Sequence, residues 1–521
     1  MAKTTPKGEH EESNRMWASA SFVGVLIVIG LPLWWKTTEV YRVALPFDKI
    51  AAFDTLAHSI SSELTVLAND EPTAAELAGL VEKAFEDTGV IKLKVSKSVL
   101  PESLHRALDS VADEAEAVEE VATHYDLENH NQFYLVQRKH LFQDVWLATE
   151  RVMFFRDAKA SLTAVEALKQ WVYQTRVVEG ARAVTADASR RVRFPAAPAY
   201  KVLVHTPHDY HIEEDIEDYI GSFVDELSVL HNFTLKSQSL YSLNFDFQAR
   251  EVRDSSDRGR HFAVRRSRLP LLLTELEERA AASVPQQPAL NLALYRAPCH
   301  LAPLIIYDND DTPNKGPIQA FLSPQWGGVV LASPTAAECE GGARRPHTRL
   351  IMGAFVSHLR KLLGIADTEH IEGAYLEPLR SVAPRKWEID NLLRIRTLEQ
   401  LTAAERTLQS LAQLLGEISN IVINDEVGAS INAAVESLQI ADILLQRGEL
   451  LGAYQESQHG ARAAETAFME PSLLALLYFP DDQKYAIYIP LFLPIMFPVV
   501  LSLKNLLLWL RGKPIHKEKA D

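Results

Sequence analysis

The stretch LLYFPDDQKYAIYIPLFLPIMFPVVLSL, residues 476–503, decides how the rest of the chain is organised. Residues 485–503 carry no charged side chain, and beyond Lys504 the apolar character resumes as far as Leu510. At about 1.5 Å per helical residue, that length crosses a hydrocarbon core of about 30 Å. Tyr485 and Tyr488 near one end and Trp509 near the other stand where interfacial aromatics stand, and Lys504 is long enough to snorkel to the nearer headgroups. A buried core helix is the competing reading, and the length argues against it.

Three prolines, Pro490, Pro494 and Pro498, interrupt this run. Spaced by four, they drift only about 40° per step around a helix, so all three share one face. Each lacks the N–H that would have bonded the carbonyl four residues earlier, which leaves the carbonyls of Ala486, Pro490 and Pro494 without their regular partners. Hydrocarbon supplies no water to replace them, so this face is expected to lie against protein or line a hydrated groove. The alternative is that local adjustment within the span absorbs the prolines.

The other end of the chain carries a matching segment, MWASASFVGVLIVIGLPLWW at 16–35, uncharged and flanked by Arg15 and Lys36. It is longer than the apolar core of about 7 to 15 residues in a cleaved signal peptide, and WWKTTEVYR stands where a small-residue cleavage site belongs, so a retained anchor is expected. Lys3, Lys7 and Arg15 precede this span; Lys504, Arg511, Lys513, Lys517 and Lys519 lie in or after the second. The positive-inside rule then puts both termini in the cytosol and everything between the spans on the opposite side.

That hidden middle holds 45 bases against 64 acids once the two tails are set aside. Such a balance excludes nucleic acid and anionic headgroups as main partners. Two cysteines, Cys299 and Cys339, are too few for a disulfide scaffold, so a core large enough to stand without staples is implied. Whether these two are bridged turns on whether their Cα atoms come within reach. The last residues, KEKAD, place Lys519 third and Lys517 fifth from the carboxyl end, the spacing of a dilysine endoplasmic reticulum retrieval signal, which works only in the cytosol. The sequon Asn232-Phe233-Thr234 adds a vote for a luminal middle and marks Asn232 as a glycan acceptor.

Within the middle, TAAELAGLVEKAF, LPESLHRALDSVADEAEAVEEVA and IEEDIEDYIGSFVDELSVL read as helices, whereas IKLKVS, QFYLVQ, YKVLVHTP, FTLKSQSLYSL, LNLALYRAP, APLIIYDND and QAFLSPQWGGVVLA read as strands. No internal repeat is visible. After about Pro384 the pattern changes. Leu401, Ala404, Leu408, Leu411, Leu415 and Ile418 recur at helical spacing, as do Val427, Ile431, Val435, Leu438, Ala441 and Leu445, and a third helix follows Gly448.

The expected organisation is a cytosolic tail (1–15), a transmembrane helix (16–35), a luminal α/β or α+β domain (36–384), a luminal helical array (385–484), a second transmembrane helix (485–510) and a cytosolic tail (511–521).

Motifs for catalysis are missing: there is no G-x-S-x-G, Walker A, H-E-x-x-H or G-x-G-x-x-G, and no cofactor is implied. The sharpest cluster, HTPHDYHIEED, gathers His205, His208, Asp209, His211 and Glu213. A strand-to-helix turn at Pro207 scatters the imidazoles, and Asp209 and Glu213 stand where a helix cap and a first-turn acid would, so no metal site is expected. DNDDTPNKG at 308–316 lacks the glycine and glutamate an EF-hand loop needs and reads as a hairpin turn. Cys299 and His300 are adjacent, so in extended chain they face opposite sides, which places His300 badly as a base for the thiol.

Four stretches, GLPLWWKTTEVYRVALPF, SPQWGGVV, SLAQLLGEISNIVINDEV and LLYFPDDQKYAIYIPLFLP, together resemble the PIG-S family, the S subunits of the glycosylphosphatidylinositol (GPI) transamidase. The resemblance implies a non-catalytic subunit of an endoplasmic reticulum membrane complex that replaces a C-terminal signal by a GPI lipid. It implies that the nucleophilic cysteine sits on a caspase-like subunit, PIG-K, with PIG-T, PIG-U and a multi-spanning metallopeptidase-like subunit as further partners. No family site falls on Cys299 or Cys339. A stand-alone luminal enzyme or transferase, with an active site outside the known motifs, is the alternative.

Overall fold

The computed structural model describes residues 6–38, 40–53, 57–182, 197, 199–208, 210, 212–241, 245, 248–253, 259–279, 287–308, 311–324, 326–341, 347–365, 368–418, 421–474 and 481–511. The chain divides into two units. One comprises Asp54–Glu405 and Glu436–Arg462; the other comprises Met1–Phe53, Arg406–Val435 and Ala463–Asp521.

The larger unit is mixed α/β. Its first sheet is built from β1 (Ile60–Ala68), β2 (Ile91–Val99), β3 (Gln132–Gln137), β4 (Val145–Leu147) and β5 (Val152–Phe155). Apolar residues alternate along β1, whereas VMFF in β5 is buried on both faces, as a central parallel strand requires. The helix Glu71–Glu86 carries β1 over to β2. Asp70 caps it by accepting the Thr73 N–H at 2.9 Å, and Leu77, Val81 and Phe85 supply its buried stripe.

The second sheet follows with β6 (Ala199–Pro207), β7 (Asn232–Leu240), β10 (Ala289–Arg296), β12 (Gln319–Ser323) and β13 (Gly327–Ala332). Between them, β8 (Arg250–Arg253), β9 (Arg260–Arg265) and β11 (Leu304–Tyr307) form a small third sheet, and β14 (Ala374–Leu376) returns to the first.

The two large sheets repeat one topology. The first runs β2-β1-β3-β5-β4-β14 and the second β7-β6-β10-β13-β12; each has four parallel strands followed by one antiparallel strand, β4 or β12, and the first adds β14 beyond β4 as its edge. In each, a helix joins the first two strands, Glu71–Glu86 in one and the helical run from Glu213 to Glu226 in the other. In each, a covering layer is inserted before the third strand, wholly in the first sheet and, in the second, all but β11, which follows β10. Over the first sheet it is the helices Glu102–Ser110 and Glu114–His124, whose Leu104, Leu108 and Val121 meet Val136 and Phe154. Over the second it is the third sheet and the helix Pro270–Arg279, whose Val264, Leu272 and Leu276 meet Tyr295 and Val329. The sequence showed no repeat, because strand order can be shared without shared residue identity.

Two local expectations are corrected. Residues 102–124 form two helices, not one, because the chain extends at Val111 and Asp113 starts the second by capping the Ala115 N–H. The helix beginning at Glu213 has Ile212, and not the expected Asp209, at its N-cap with no side-chain cap, while Glu213 stands in its first turn as expected, joined there by Glu214 and Asp215. A five-residue π-helical turn, Glu217–Gly221, interrupts it. The strands β1, β4, β5, β8, β9 and β14 and, among the longer helices, Pro270–Arg279 and Thr348–Leu363 were not read from the sequence.

The array consists of helices Lys386–Glu417, Asp425–Arg447 and Leu450–Phe468, each with residues in both units. Leu401, Leu408, Leu411, Leu415, Val427, Ile431, Leu438 and Leu445 are all buried. Within the larger unit, Ser457 donates to Gln400 at 2.7 Å, and the Ser437 hydroxyl lies 2.8 Å from His459 Nδ1.

In the smaller unit, the helix Pro6–Val25 packs against the 30-residue helix Asp481–Leu510. A π-helical turn, Leu26–Gly30, joins it to Leu31–Thr38. Pro32 sits just beyond that turn and cannot bond the Val28 carbonyl, so a widened turn at this place has a local cause. Among the described residues, no helix is long and apolar enough to cross a membrane. The two-span anchoring expected from the sequence is thus not established by these helices.

Candidate functional site

The side chains singled out in the sequence do not converge. His205 is buried on β6, where burial pushes its pKa down, while His208 is exposed and stacks on Tyr241 with ring centroids 4.2 Å apart. Asp209 and His211 lie outside the described residues, as do Lys517 and Lys519. The acidic stretch at Asp308 is a turn: the Asp308 N–H donates to Thr312, the Asn314 N–H donates to Ile306, and Tyr307 bridges Pro313 antiparallel.

Cys299 and Cys339 are joined as a disulfide, with Cα atoms 5.7 Å apart and a sequence separation of 40. The bridge ties the turn Cys299–Leu301 to the short helix Ala336–Cys339, which opens with a capping box made by Thr335 and Glu338. It thereby encloses β11, β12 and β13, a loop for which chain entropy predicts about 4 kcal/mol of stabilisation. A sulfur in a disulfide presents no thiolate, so neither cysteine is a nucleophile in this form.

The buried charges have structural partners. Arg151 Nε and Nη2 donate to the two oxygens of Asp390 at 2.7 and 2.8 Å, and His130 Nδ1 lies 2.7 Å from the same carboxylate. Glu388 receives Arg360 at 2.8 Å and Arg385 at 2.9 Å. Trp387 donates to the Ala148 carbonyl and Arg396 to that of Leu363. The start of the Lys386–Glu417 helix is thus pinned to the first sheet and to the Thr348–Leu363 helix through polar side chains. Sequence periodicity assigns such residues to a solvated face; the one cue was that KWEIDNLLRIR has no wholly polar face.

Three of the resembling stretches gain a physical reason. In SPQWGGVV, Gly327 has φ +151° and a Cβ there would overlap the Asn291 carbonyl, while a Cβ on Gly328 would strike His358 of the Thr348–Leu363 helix. Two others meet inside the smaller unit. Arg42 bridges Ile423 in parallel, with Val43 N–H to Ile423 O and Ile423 N–H to Tyr41 O both at 3.1 Å. Tyr41 donates its hydroxyl to Asp425 at 2.9 Å, and a Cβ on Gly428 would fall 2.8 Å from Val43. The segment leaving the first apolar helix is clasped to the start of the Asp425–Arg447 helix.

The last stretch builds the most distinctive surface. Pro490, Pro494 and Pro498 lie within the helix Asp481–Leu510 and are all exposed. Val499, its one buried apolar residue among those described, is about 180° from Pro490 and about 100° from Pro498 around the helix. Met16 and Val23 are the buried residues, among those described, of the facing Pro6–Val25 helix. The proline face therefore points away from the intramolecular contact and is free to meet something else.

Comparison with known proteins agrees with the resemblance over nearly the full length. Residues 21–513 match the family described as phosphatidylinositol-glycan biosynthesis class S protein, PIG-S. The chain is 32% identical over 544 residues to the GPI-anchor transamidase component PIGS of Bos taurus, covering 97% of each protein. It is 31% identical over 543 residues to the protein of that name in Rattus norvegicus, again covering 97% of each. A GPI transamidase component PIG-S homolog from Schizosaccharomyces pombe is 25% identical over 522 residues, 97% of this chain and 86% of that one. With the family matched from the first apolar helix to the last, the chain belongs to the PIG-S family.

Proposed function

We propose that this protein is a non-catalytic subunit of the GPI transamidase complex, tethered in the endoplasmic reticulum membrane by one helix at each end. Both termini are cytosolic and residues 36–484 luminal, and the chain acts by assembling and positioning reactants. Holding a lipid-linked substrate and a proprotein tail together lowers a barrier without supplying a nucleophile.

The observation that carries this reading is the exposed proline face of the Asp481–Leu510 helix. A globular surface does not leave Ile489, Leu493, Phe497 and Val500 open to water along one helix, with Val28, Leu33 and Trp35 likewise open at the other end of the chain. Lipid accounts for the apolar side chains, and a neighbouring transmembrane helix accounts for the prolines. The family resemblance supplies the partners: PIG-K with the catalytic cysteine, PIG-T, PIG-U and the multi-spanning metallopeptidase-like subunit.

Two measurements on cells carrying the full chain test the proposal. A native pull-down in mild detergent is expected to recover it in fixed stoichiometry with PIG-K and PIG-T. A Cys299→Ser variant that folds and assembles is expected to support GPI attachment undiminished. Recovery of the chain alone in an active form, or loss of attachment in that variant, favours the stand-alone luminal enzyme.

A further inference from the structure

The repeated topology leaves two long edge strands among the described residues, β2 and β7, which occupy the same place in the two sheets. The remaining edge strands, β14, β12, β8 and β11, are three to five residues long. A long unpaired edge is a template for another chain, so its treatment is informative. β7 begins at the sequon residue Asn232, which is exposed, so a glycan there would shield its edge. β2 carries no sequon, no proline and no bulge: it pairs with β1 in unbroken register from Ile60↔Ile91 to Ala68↔Val99.

The phase of that ladder shows which groups are free. Ile60 N–H bonds Val90 O at one end and Leu100 N–H bonds Ala68 O at the other, so the even-numbered residues turn their backbone groups toward β1. Leu93, Val95, Lys97 and Val99 turn theirs outward, a row of donors and acceptors along one edge. Beside it, a groove of about 770 Å³ runs between the strand and the Glu71–Glu86 helix, lined by Phe85 and by a balanced set of charges, Lys83 and Lys92 with Glu82 and Glu86, so the basic excess belongs to the strand and not to the groove. The strand also breaks with the acidic balance of the chain: IKLKVSKSV has three lysines and no acid. Lys94 has an ion pair, to Glu63 at 3.1 Å, and both members are exposed.

We propose that β2 is a docking edge, on which an extended acidic segment of another polypeptide adds as a further strand of the first sheet. Backbone pairing supplies the affinity and the lysines select the charge of the incoming strand. The same lysines also discourage pairing of the edge with another copy of itself. The inference rests on the reading of the chain as a complex subunit and adds where one partner sits.

The test uses the full chain in its membrane assembly, with a benzophenone amino acid in place of Ser98, an exposed position on β2. Irradiation and peptide mapping are expected to find one attached acidic segment from a different protein. Lys97→Pro removes an outward N–H without breaking a bond to β1, and is expected to reduce the cross-link roughly tenfold, the effect of losing one or two backbone hydrogen bonds of ordinary net strength. Charge reversal at Lys92, Lys94 and Lys97 together is expected to lower it comparably. Attachment to lipid, to a second copy or to a basic segment, no attachment, or a yield indifferent to Lys97→Pro overturns the docking edge. Recovery of the other subunits with the same preparation reports separately on membership of the complex.

Discussion

His58 Nδ1 lies 2.8 Å from Asp442 Oδ1, and its other nitrogen lies 3.0 Å from Glu405, so one imidazole joins the approach to β1 to two helices of the array. All three side chains are buried. Burial opposes the charge on His58, but the hydrogen bonds to Asp442 and Glu405 outweigh it and raise the pKa to about 9.

Because that value lies above the unfolded one of about 6.5, the stabilisation is complete below about pH 6.5 and is lost as pH rises toward 9. Its size is on the order of 3 kcal/mol. Thermal unfolding of the purified full chain is expected to show Tm falling across this window, and a His58→Asn variant is expected to be less stable and flatter there. An equal slope in the variant would assign the effect to another group.

Asp390 offers the opposite sign. Burial raises its pKa, but the bonds from Arg151 and His130 prevail and hold it below the usual carboxylate range. Its contribution is therefore present above about pH 4 and lost only on strong acidification. Asp390→Ala leaves Arg151 buried and uncompensated and is expected to destabilise by about 3–5 kcal/mol. Lys94→Ala, which removes an exposed pair, is expected to change stability by less than about 1 kcal/mol in the same denaturation assay.

Gly328→Ala drives a Cβ into the His358 ring, between a sheet and the helix packed on it. A loss of about 1–3 kcal/mol is expected. Combining it with His358→Ala makes room, so the double variant is expected to be more stable than the sum of the singles; strict additivity in the cycle would separate the two residues.

Changing Pro490, Pro494 and Pro498 together to leucine fills the exposed face of the Asp481–Leu510 helix and restores three backbone donors. The variant is expected to lose association with the other subunits and to lower surface GPI-anchored proteins, while the larger unit keeps wild-type resistance to protease. Unchanged co-purification would remove the proline face from the partner surface.

Asn232 is expected to carry an N-glycan, seen as a mobility shift on endoglycosidase treatment that Asn232→Gln abolishes. Protease added to sealed microsomes is expected to trim only short tails. Protection of the carboxyl-terminal tail would reverse the topology.

Read from sequence, the two apolar end segments, the three-helix array and most of the long strands were legible, because each is written in a local period: unbroken hydropathy, helical spacing, or alternation. The family was legible too, since its signature stretches sit where backbones approach closely or segments clasp, as at Gly327, Ile423 and Tyr41. Tertiary structure alone decided the rest. The repeated topology is a matter of strand order, which the burial pattern leaves open. The pairing of Cys299 with Cys339 depends on two loops meeting in space. Charged residues such as Arg151, Asp390, Glu388 and His58 are inside because each finds a partner far along the chain, and long-range partnership is what a local period cannot express.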